Sequence, residues 1–513
     1  GRNVVMIQED TLKTSGKINK LNLRLLYSQT LNYMPGSILP AFISLASAAI
    51  FTRVFSANDY GQYCLILSIT TFIVTISCQW LQQAINRYLP AAISDEEQKS
   101  IKQMATAGLA LILILVSTSG VLISVIGLIA FSPQWAHFLL PTTVFVIGMS
   151  IFNPVGVVLQ AQMKARTFSC FNLANAVGKL IFSLVIVFML KRDPAGLMWG
   201  SALSVILLLP ILWRKADMPS VFKLKFSDWH FYWAGIKQFA HYGFPMIGWF
   251  LSATLLSVGD RYVIQLFRGS AEVGIYSANY TLISGAVGLI AGPVLLAAHP
   301  FFMRAWGSGD IESTGRWLGR IAELFLQFGI MLVGATWLFS SDIASWFLGK
   351  EFRLGHTVMP IVVAGIVMWQ LGMYAHKPLE FAERTKLMFC LSIAVAALNL
   401  VLNIIFVPEF GYLAAAYTTT ISYSVYTIVT SIVGQRLLRW RINARPIFIT
   451  TVITIATTLV VAFLRPHIEH MWGYTPGFVV AFGVFAVIAV VIALCIIDLK
   501  LGKIAQSFKN PLS

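Results

Sequence analysis

The residues most able to do chemistry in this sequence are a few charges set inside long apolar stretches. Lys179 lies midway along one such stretch, and at helical spacing it shares a face with Asn172, Asn175 and Ser183. Asp260 and Arg261 adjoin near the end of a second, with Ser257 and Gln265 nearby; His299 and Arg304 close a third, and Glu323 sits in a fourth. An ammonium exposed to lipid at mid-membrane costs roughly 2.5–3.5 kcal/mol on insertion, so Lys179 must face protein or water. There it can attract an anion or hold neighbouring helices together. Asp260 and Arg261 read either as a structural ion pair or as a site where a carboxylate exchanges an ion, and Glu323 is a second carboxylate able to do so. Arg304 serves either as a topology anchor or as a ligand.

Uncharged polar residues add a second pattern. Ser68, Thr71, Thr75, Gln79, Gln82 and Asn86 fall within about an 80° arc of one helix at 100° per residue. A later stretch carries Ser277, Thr281, Ser284, Gly288, Gly292 and His299 on an equally narrow face, and Asn399 and Asn403 lie one turn apart in another. Ser, Thr and Gly stripes commonly pack helices or bond between them. Gln79, Gln82, Asn86 and His299 have fewer such uses and are costly in lipid, which points to a wet cavity, whereas Asn399 and Asn403 read evenly as cavity residues or as a contact holding their span to a neighbour.

The elements that must position these groups are transmembrane helices. The 513 residues are 57% hydrophobic and 11% charged, with a mean hydropathy of +0.76. A soluble chain would need about a quarter of its residues charged to cover itself. Apolar runs of about 20 residues, long enough to cross the hydrocarbon as helices and too continuous for barrel strands, recur from Leu31 to Ile497. Hydropathy places fourteen spans near 30–52, 61–85, 104–131, 137–161, 168–190, 196–213, 243–267, 275–303, 318–340, 356–376, 387–407, 412–434, 447–464 and 476–497.

The expected class is an all-α integral membrane protein. Its organisation is an N-terminal segment 1–29, a first lobe 30–213, a basic and aromatic linker 214–242 forming an interfacial helix, a second lobe 243–434, an added helix pair within 435–497, and a tail 498–513. An even number of spans leaves both termini on one side. With them inside, the outer side holds Arg53, Lys191, Arg192, Arg268, Lys350, Arg353 and Arg465, Lys179 and Arg261 lie within spans, and every other one of the 37 basic residues is cytoplasmic. That asymmetry accounts for the net charge of +16 without nucleic acid as partner. The five cysteines (Cys64, Cys78, Cys170, Cys390, Cys495) all lie in apolar segments and read as small hydrophobes. The basic start, Lys13–Arg24, reads as a cytoplasmic N-terminus without a cleavage-type site.

The two lobes repeat. Asp59-Tyr60-Gly61-Gln62-Tyr63 opens the second span and Glu272-Val273-Gly274-Ile275-Tyr276 the eighth, an acidic-x-Gly-x-Tyr turn in each. Gly196-Leu197-Met198-Trp199-Gly200-Ser201-Ala202 and Gly411-Tyr412-Leu413-Ala414-Ala415-Ala416-Tyr417 match at nearly the same offset. A repeat with an even number of spans keeps its orientation and implies an axis along the membrane normal. No Walker A, dinucleotide, HExxH or DxD pattern is present, so the expectation is a non-enzyme without cofactor or metal.

Three segments resemble a known family. Residues Phe51 to Tyr63, then Gly259-Asp260-Arg261-Tyr262-Val263-Ile264 with Glu272 to Ser277, and the stretch from Asn399 to Ala416 are similar to those of polysaccharide transporters in the multidrug/oligosaccharidyl-lipid/polysaccharide (MOP) flippase superfamily, which includes O-antigen (Wzx-type) and exopolysaccharide flippases. The resemblance, over about residues 25–440, implies two six-helix lobes in a V, with spans 1, 2, 7 and 8 lining the cavity. It implies a bacterial inner-membrane flippase that moves an undecaprenyl-pyrophosphate-linked glycan by alternating access, for surface polysaccharide assembly. By position, the pyrophosphate-attracting cations would be Lys179 and Arg261, with Arg53, Arg304 and His299 at the rims. The partners implied are the lipid-linked oligosaccharide, membrane lipids, the assembly machinery and a coupling ion, H+ or Na+. The added helix pair is similar to that of lipid II flippases, but the chain lacks their arginines in the first spans. The alternatives are an ion-coupled exporter of a soluble solute, using Asp260 or Glu323, and a membrane polymerase or acyltransferase.

Overall fold

The computed structural model describes residues 36–488 apart from Ser37, Ile93, Phe131, Ser132, Lys191, 222–225, 308–310, Glu383 and Pro476. The described chain is all helical: α1 (Ile38–Val54), α2 (Ala57–Tyr88), α3 (Asp95–Ala130), α4 (Pro133–Ala161), α5 (Ala165–Met189), α6 (Ala195–Lys215), α7 (Trp229–Arg268), α8 (Ser270–Gly307), α9 (Ile311–Phe347), α10 (Met359–Ala375), α11 (Lys377–Phe381), α12 (Thr385–Gly434), α13 (Ala444–Trp472) and α14 (Gly477–Ile488). A 3-10 turn, Lys350–Val358, leads into α10. Among the described residues nine helices are long and apolar enough to cross a bilayer, ten with α7 counted as one bent span. The second to thirteenth predicted spans fall on these helices to within a few residues, while parts of the first and last lie outside the described residues.

Local chemistry sets the boundaries. Ser56 caps α2: its Oγ accepts from the Asp59 amide at 3.2 Å and donates to the Asp59 carboxylate at 2.8 Å. Asp95, Glu96 and Glu97 fill the first turn of α3, where the helix dipole favours anions. Residues 229–242 of the expected linker are the start of α7, whose segments Trp229–Phe244 and Met246–Arg268 meet at 48° across Pro245. The expected eleventh and twelfth spans run on as α12 and break at Gly411, with φ +63°. A Cβ there would approach within 2.6 Å of a Glu272 carboxylate oxygen, and that same oxygen accepts from the Tyr412 amide at 3.1 Å. Only glycine meets both demands.

Two compact units emerge. The first contains Ile66–Leu251 and Gly288–Ala298; the second contains Ala48–Leu65, Ser252–Val287 and the described chain from His299 onward. In the first, α6 packs on α4 and α5, and the α5–α6 crossing is backbone-close: a Cβ on Gly200 would lie 2.2 Å from the Ser183 amide nitrogen. In the second, α10 packs on α9 and α12, and α13 packs on α9. Arg465 of α13 forks onto Asp342 of α9 at 2.7 and 2.6 Å and onto Glu469 at 2.6 Å, while Tyr474 also donates to Asp342. Phe339, Val461, Phe478, Ala481 and Phe485 form an apolar cluster beside this clasp and seat α14 against α9.

Candidate functional site

A buried polar network of the second unit lies where α7, α8 and α12 meet. Asp260 is fully buried. One carboxylate oxygen accepts from the Arg261 amide at 2.8 Å; the other accepts from the Tyr276 hydroxyl at 2.5 Å and from Thr419 Oγ1 at 3.4 Å. The network continues along α12. Asn399 Nδ2 donates to Thr419 Oγ1 at 3.3 Å, Asn403 Nδ2 to Asn399 Oδ1 at 3.0 Å, and Thr418 Oγ1 to Asn403 Oδ1 at 2.7 Å. All of these side chains are buried, so each bond replaces a costly desolvated group. The Arg261 guanidinium lies 5.6 Å from the Tyr280 ring centroid, and Tyr60 and Cys64 of α2 stand close enough to feel its charge. The arrangement is a carboxylate ringed by two hydroxyl donors and a backbone amide, suited to hold charge or to exchange a proton.

In the first unit Lys179 is half-buried, with Nζ 5.0 Å from the Phe145 ring centroid. Two of its face-mates engage α6: Ser204 Oγ donates to the Asn175 carbonyl at 3.0 Å and to its Oδ1 at 3.1 Å, and Ser183 Oγ donates to the Leu197 carbonyl at 3.1 Å. Asn172 is half-buried. Along α2, Ser68 is buried, Thr71 and Asn86 are exposed, and Thr75, Gln79 and Gln82 lie between. Thr71 and Thr75 donate to carbonyls one turn back at 2.9 and 2.8 Å, and Gln82 donates to Gln79 at 3.3 Å. On α8, Ser277 is buried, whereas Thr281 and Ser284 are half-buried. Arg53 is exposed and donates to the Ala49 carbonyl at 2.9 Å and to the Trp346 carbonyl. Glu323 is buried and accepts from the Asn443 amide at 3.3 Å. His299 and Arg304 lie on α8, and their side chains fall outside the described residues.

The structure adds residues that sequence reasoning passes over. In the sequence Tyr276 is only part of a turn, and Thr418 and Thr419 do not stand out singly. The run Thr418-Thr419-Thr420 inside the apolar span that follows Asn403 across the Gly411 break is the available signal. Asp342 is a further addition, legible only as a lone acid near the end of a span.

The family described as "Polysaccharide biosynthesis protein" matches residues 29–306, more than half of the chain. The chain belongs to this family. No curated protein sequence matches it. Among solved structures, the lipid II flippase MurJ in an inward closed conformation superposes with a TM-score of 0.63 at 14% identity, covering 91% of this chain and 98% of that one. An inward-facing multidrug resistance MATE transporter of the MOP superfamily gives 0.59 at 14% identity, covering 80% and 94%. An outward-facing conformation of such a transporter gives 0.56 at 14%, covering 80% and 95%. At these identities the likeness is one of fold: the chain is a multi-pass membrane protein whose described residues are helical and share the fold of these flippase and transporter structures.

Proposed function

We propose that the protein is a flippase for an undecaprenyl-pyrophosphate-linked glycan, carrying it from the cytoplasmic to the periplasmic leaflet of a bacterial inner membrane by alternating access. Both termini lie in the cytoplasm. The observation that carries this reading is membership of a polysaccharide biosynthesis family by a chain with a transporter fold. Lys179 and Arg261 attract the pyrophosphate, Arg53, His299 and Arg304 stand at the rims, and the polar faces of α2 and α8 solvate the glycan. Lys179 supports the assignment chemically: it is a cation in the middle of a span, and its close partner is a ring face rather than a carboxylate.

The Asp260 network favours ion coupling as a component of the same reading. Of the two candidate carboxylates, Glu323 is engaged with the backbone where α13 begins, whereas Asp260 sits between three helices. The coupling ion is a proton, because a carboxylate already ringed by donors has a lone pair to offer but not the several open oxygens a metal ion requires.

The test is translocation of a fluorescent lipid-linked oligosaccharide in proteoliposomes, with export of the glycan in cells alongside. Lys179→Ala is expected to abolish both at unchanged abundance, and Arg261→Ala to abolish both with rates normalised to the folded protein present. Normal transport by either variant removes that residue from the substrate site. Recovery of Arg261→Ala by a second Asp260→Ala change would make the pair structural. Transport of a soluble solute in place of the lipid-linked glycan would overturn the assignment.

A further inference from the structure

The two acidic-x-Gly-x-Tyr turns, at the heads of α2 and α8, meet backbone to backbone. A Cβ on Gly61 would lie 1.8 Å from the Ser270 carbonyl oxygen and 2.8 Å from the Gly274 amide nitrogen. A Cβ on Gly274 would lie 2.0 Å from the Ala57 carbonyl oxygen and 3.0 Å from the Gly61 amide nitrogen. Each missing side chain is the space that the other helix occupies. Such a contact is short-ranged: parting the helices by the width of one methyl group abolishes it. The head of α2 is held there by Glu351, whose carboxylate accepts from the Ala57 amide at 2.8 Å.

Tyr276 lies two residues past Gly274 on the same helical turn, and its hydroxyl donates to Asp260 at 2.5 Å. Gly269, with φ +88°, is the whole connection between α7, which carries Asp260, and α8. The buried carboxylate and the glycine contact are therefore joined through one phenol.

We propose that Tyr276 is a positioning residue that couples the charge on Asp260 to closure of the Gly61–Gly274 contact, an inference that rests on reading Asp260 as the coupling carboxylate. With Asp260 ionised, the phenol makes a charge-assisted bond, and the head of α8 is held down against α2. When Asp260 takes a proton the bond loses its charge, the phenol no longer fixes the helix head, and the two turns part. The other groups facing Asp260 are Arg261 from α7, Tyr280 from α8, and Thr419 and Tyr423 from α12, with Tyr60 and Cys64 of α2 beside Arg261. Asp59, Glu272 and Glu351 are further carboxylates near the turns, and the Asp260→Asn arm separates them from Asp260.

The experiment places cysteines at the exposed Asn58 and Ala271 in the full-length chain, with Cys170, Cys390 and Cys495 changed to serine, and reads the rate of cross-linking by a short bifunctional reagent in proteoliposomes. Rates are normalised to labelling of each single cysteine. Lowering the pH from about 8 to about 5 should slow cross-linking about tenfold. Asp260→Asn should give the slow rate at every pH. Tyr276→Phe keeps the ring and its packing, and should also be slow and flat with pH. The two changes combined should be no slower than either alone, as expected for one shared bond. A wild-type rate indifferent to pH, or pH dependence retained in Tyr276→Phe or in Asp260→Asn, overturns the coupling. Transport of the lipid-linked glycan by the unlinked protein is scored separately, so a flat cross-linking profile beside normal flipping defeats the coupling alone, and pH-dependent cross-linking without flipping defeats the flippase reading alone.

Discussion

The two units place ionisable residues inside spans in opposite ways. In the first, Lys179 rests on the ring of Phe145, and the polar residues on its face, Asn175 and Ser183, are engaged with α6 and not with the amine. In the second, Asp260 is enclosed by donors from its own helix, from α8 and from α12, and the network runs on to Asn403. A lone amine depends on its surroundings for compensation and is available to an anion. A wired carboxylate is part of the structure that surrounds it. The difference separates a residue that can meet a ligand from one whose change of charge must disturb its neighbours.

The largest effect expected from this comparison is on stability. Arg261→Met leaves the buried Asp260 without its neighbouring charge, and the unfolding midpoint in detergent should fall by the equivalent of about 3–5 kcal/mol. Lys179→Met should unfold no earlier than the wild type, because it removes a half-buried charge without stranding a partner, while transport is lost. An Arg261→Met protein as stable as the wild type would break the contrast between the units. Next, Arg465→Met should cost about 3 kcal/mol by stranding Asp342, and adding Asp342→Leu should recover most of it, since an apolar pair of similar volume often replaces a buried ion pair well. No recovery in a thermal melt would show that the clasp does more than pair charges.

Asn403→Ala should cost about 2 kcal/mol, because it leaves Asn399 and Thr418 short of a buried partner. A cost near zero would mean that the α12 network is not continuous. The smallest effect belongs to Asp217, in the turn after α6, where Lys164 donates to its carboxylate at 3.0 Å and holds it below the usual carboxylate range. A carboxyl depressed by folding contributes stability above its unfolded pKa, and the contribution is lost as the pH falls through the folded value. The pair is well exposed, so the contribution is under about 1 kcal/mol. Asp217→Asn should erase that small part of the acid sensitivity in a pH series of melts, and an unchanged series would remove Lys164 as its cause.

Much of this fold is legible in the sequence because a membrane span announces itself by length and hydropathy alone, and a polar residue within one stands out. The acidic-x-Gly-x-Tyr repeat is legible as a repeat, but nothing in one dimension says that its two glycines touch. Asn399 and Asn403 read as an even choice between cavity and packing, and the structure places both in a buried network with α12 threonines. Asn175 and Ser183 share a face with Lys179 by helical geometry, yet periodicity does not reveal which neighbour a face meets. Tyr276 escapes notice as a functional group because a tyrosine in an apolar span is an ordinary core residue until a carboxylate lies against its hydroxyl.

The clasp at Asp342 bears on how the chain is made. Asp342 and Arg465 are separated by 123 positions, so α9 is synthesised and presented to the membrane long before α13. Until α13 arrives, the end of α9 carries an unneutralised acid that cannot settle against its apolar neighbours. Final seating of α9 is therefore a late event, completed only when the ribosome has passed Arg465, and a chain terminated before that point carries an exposed mark of its own incompleteness.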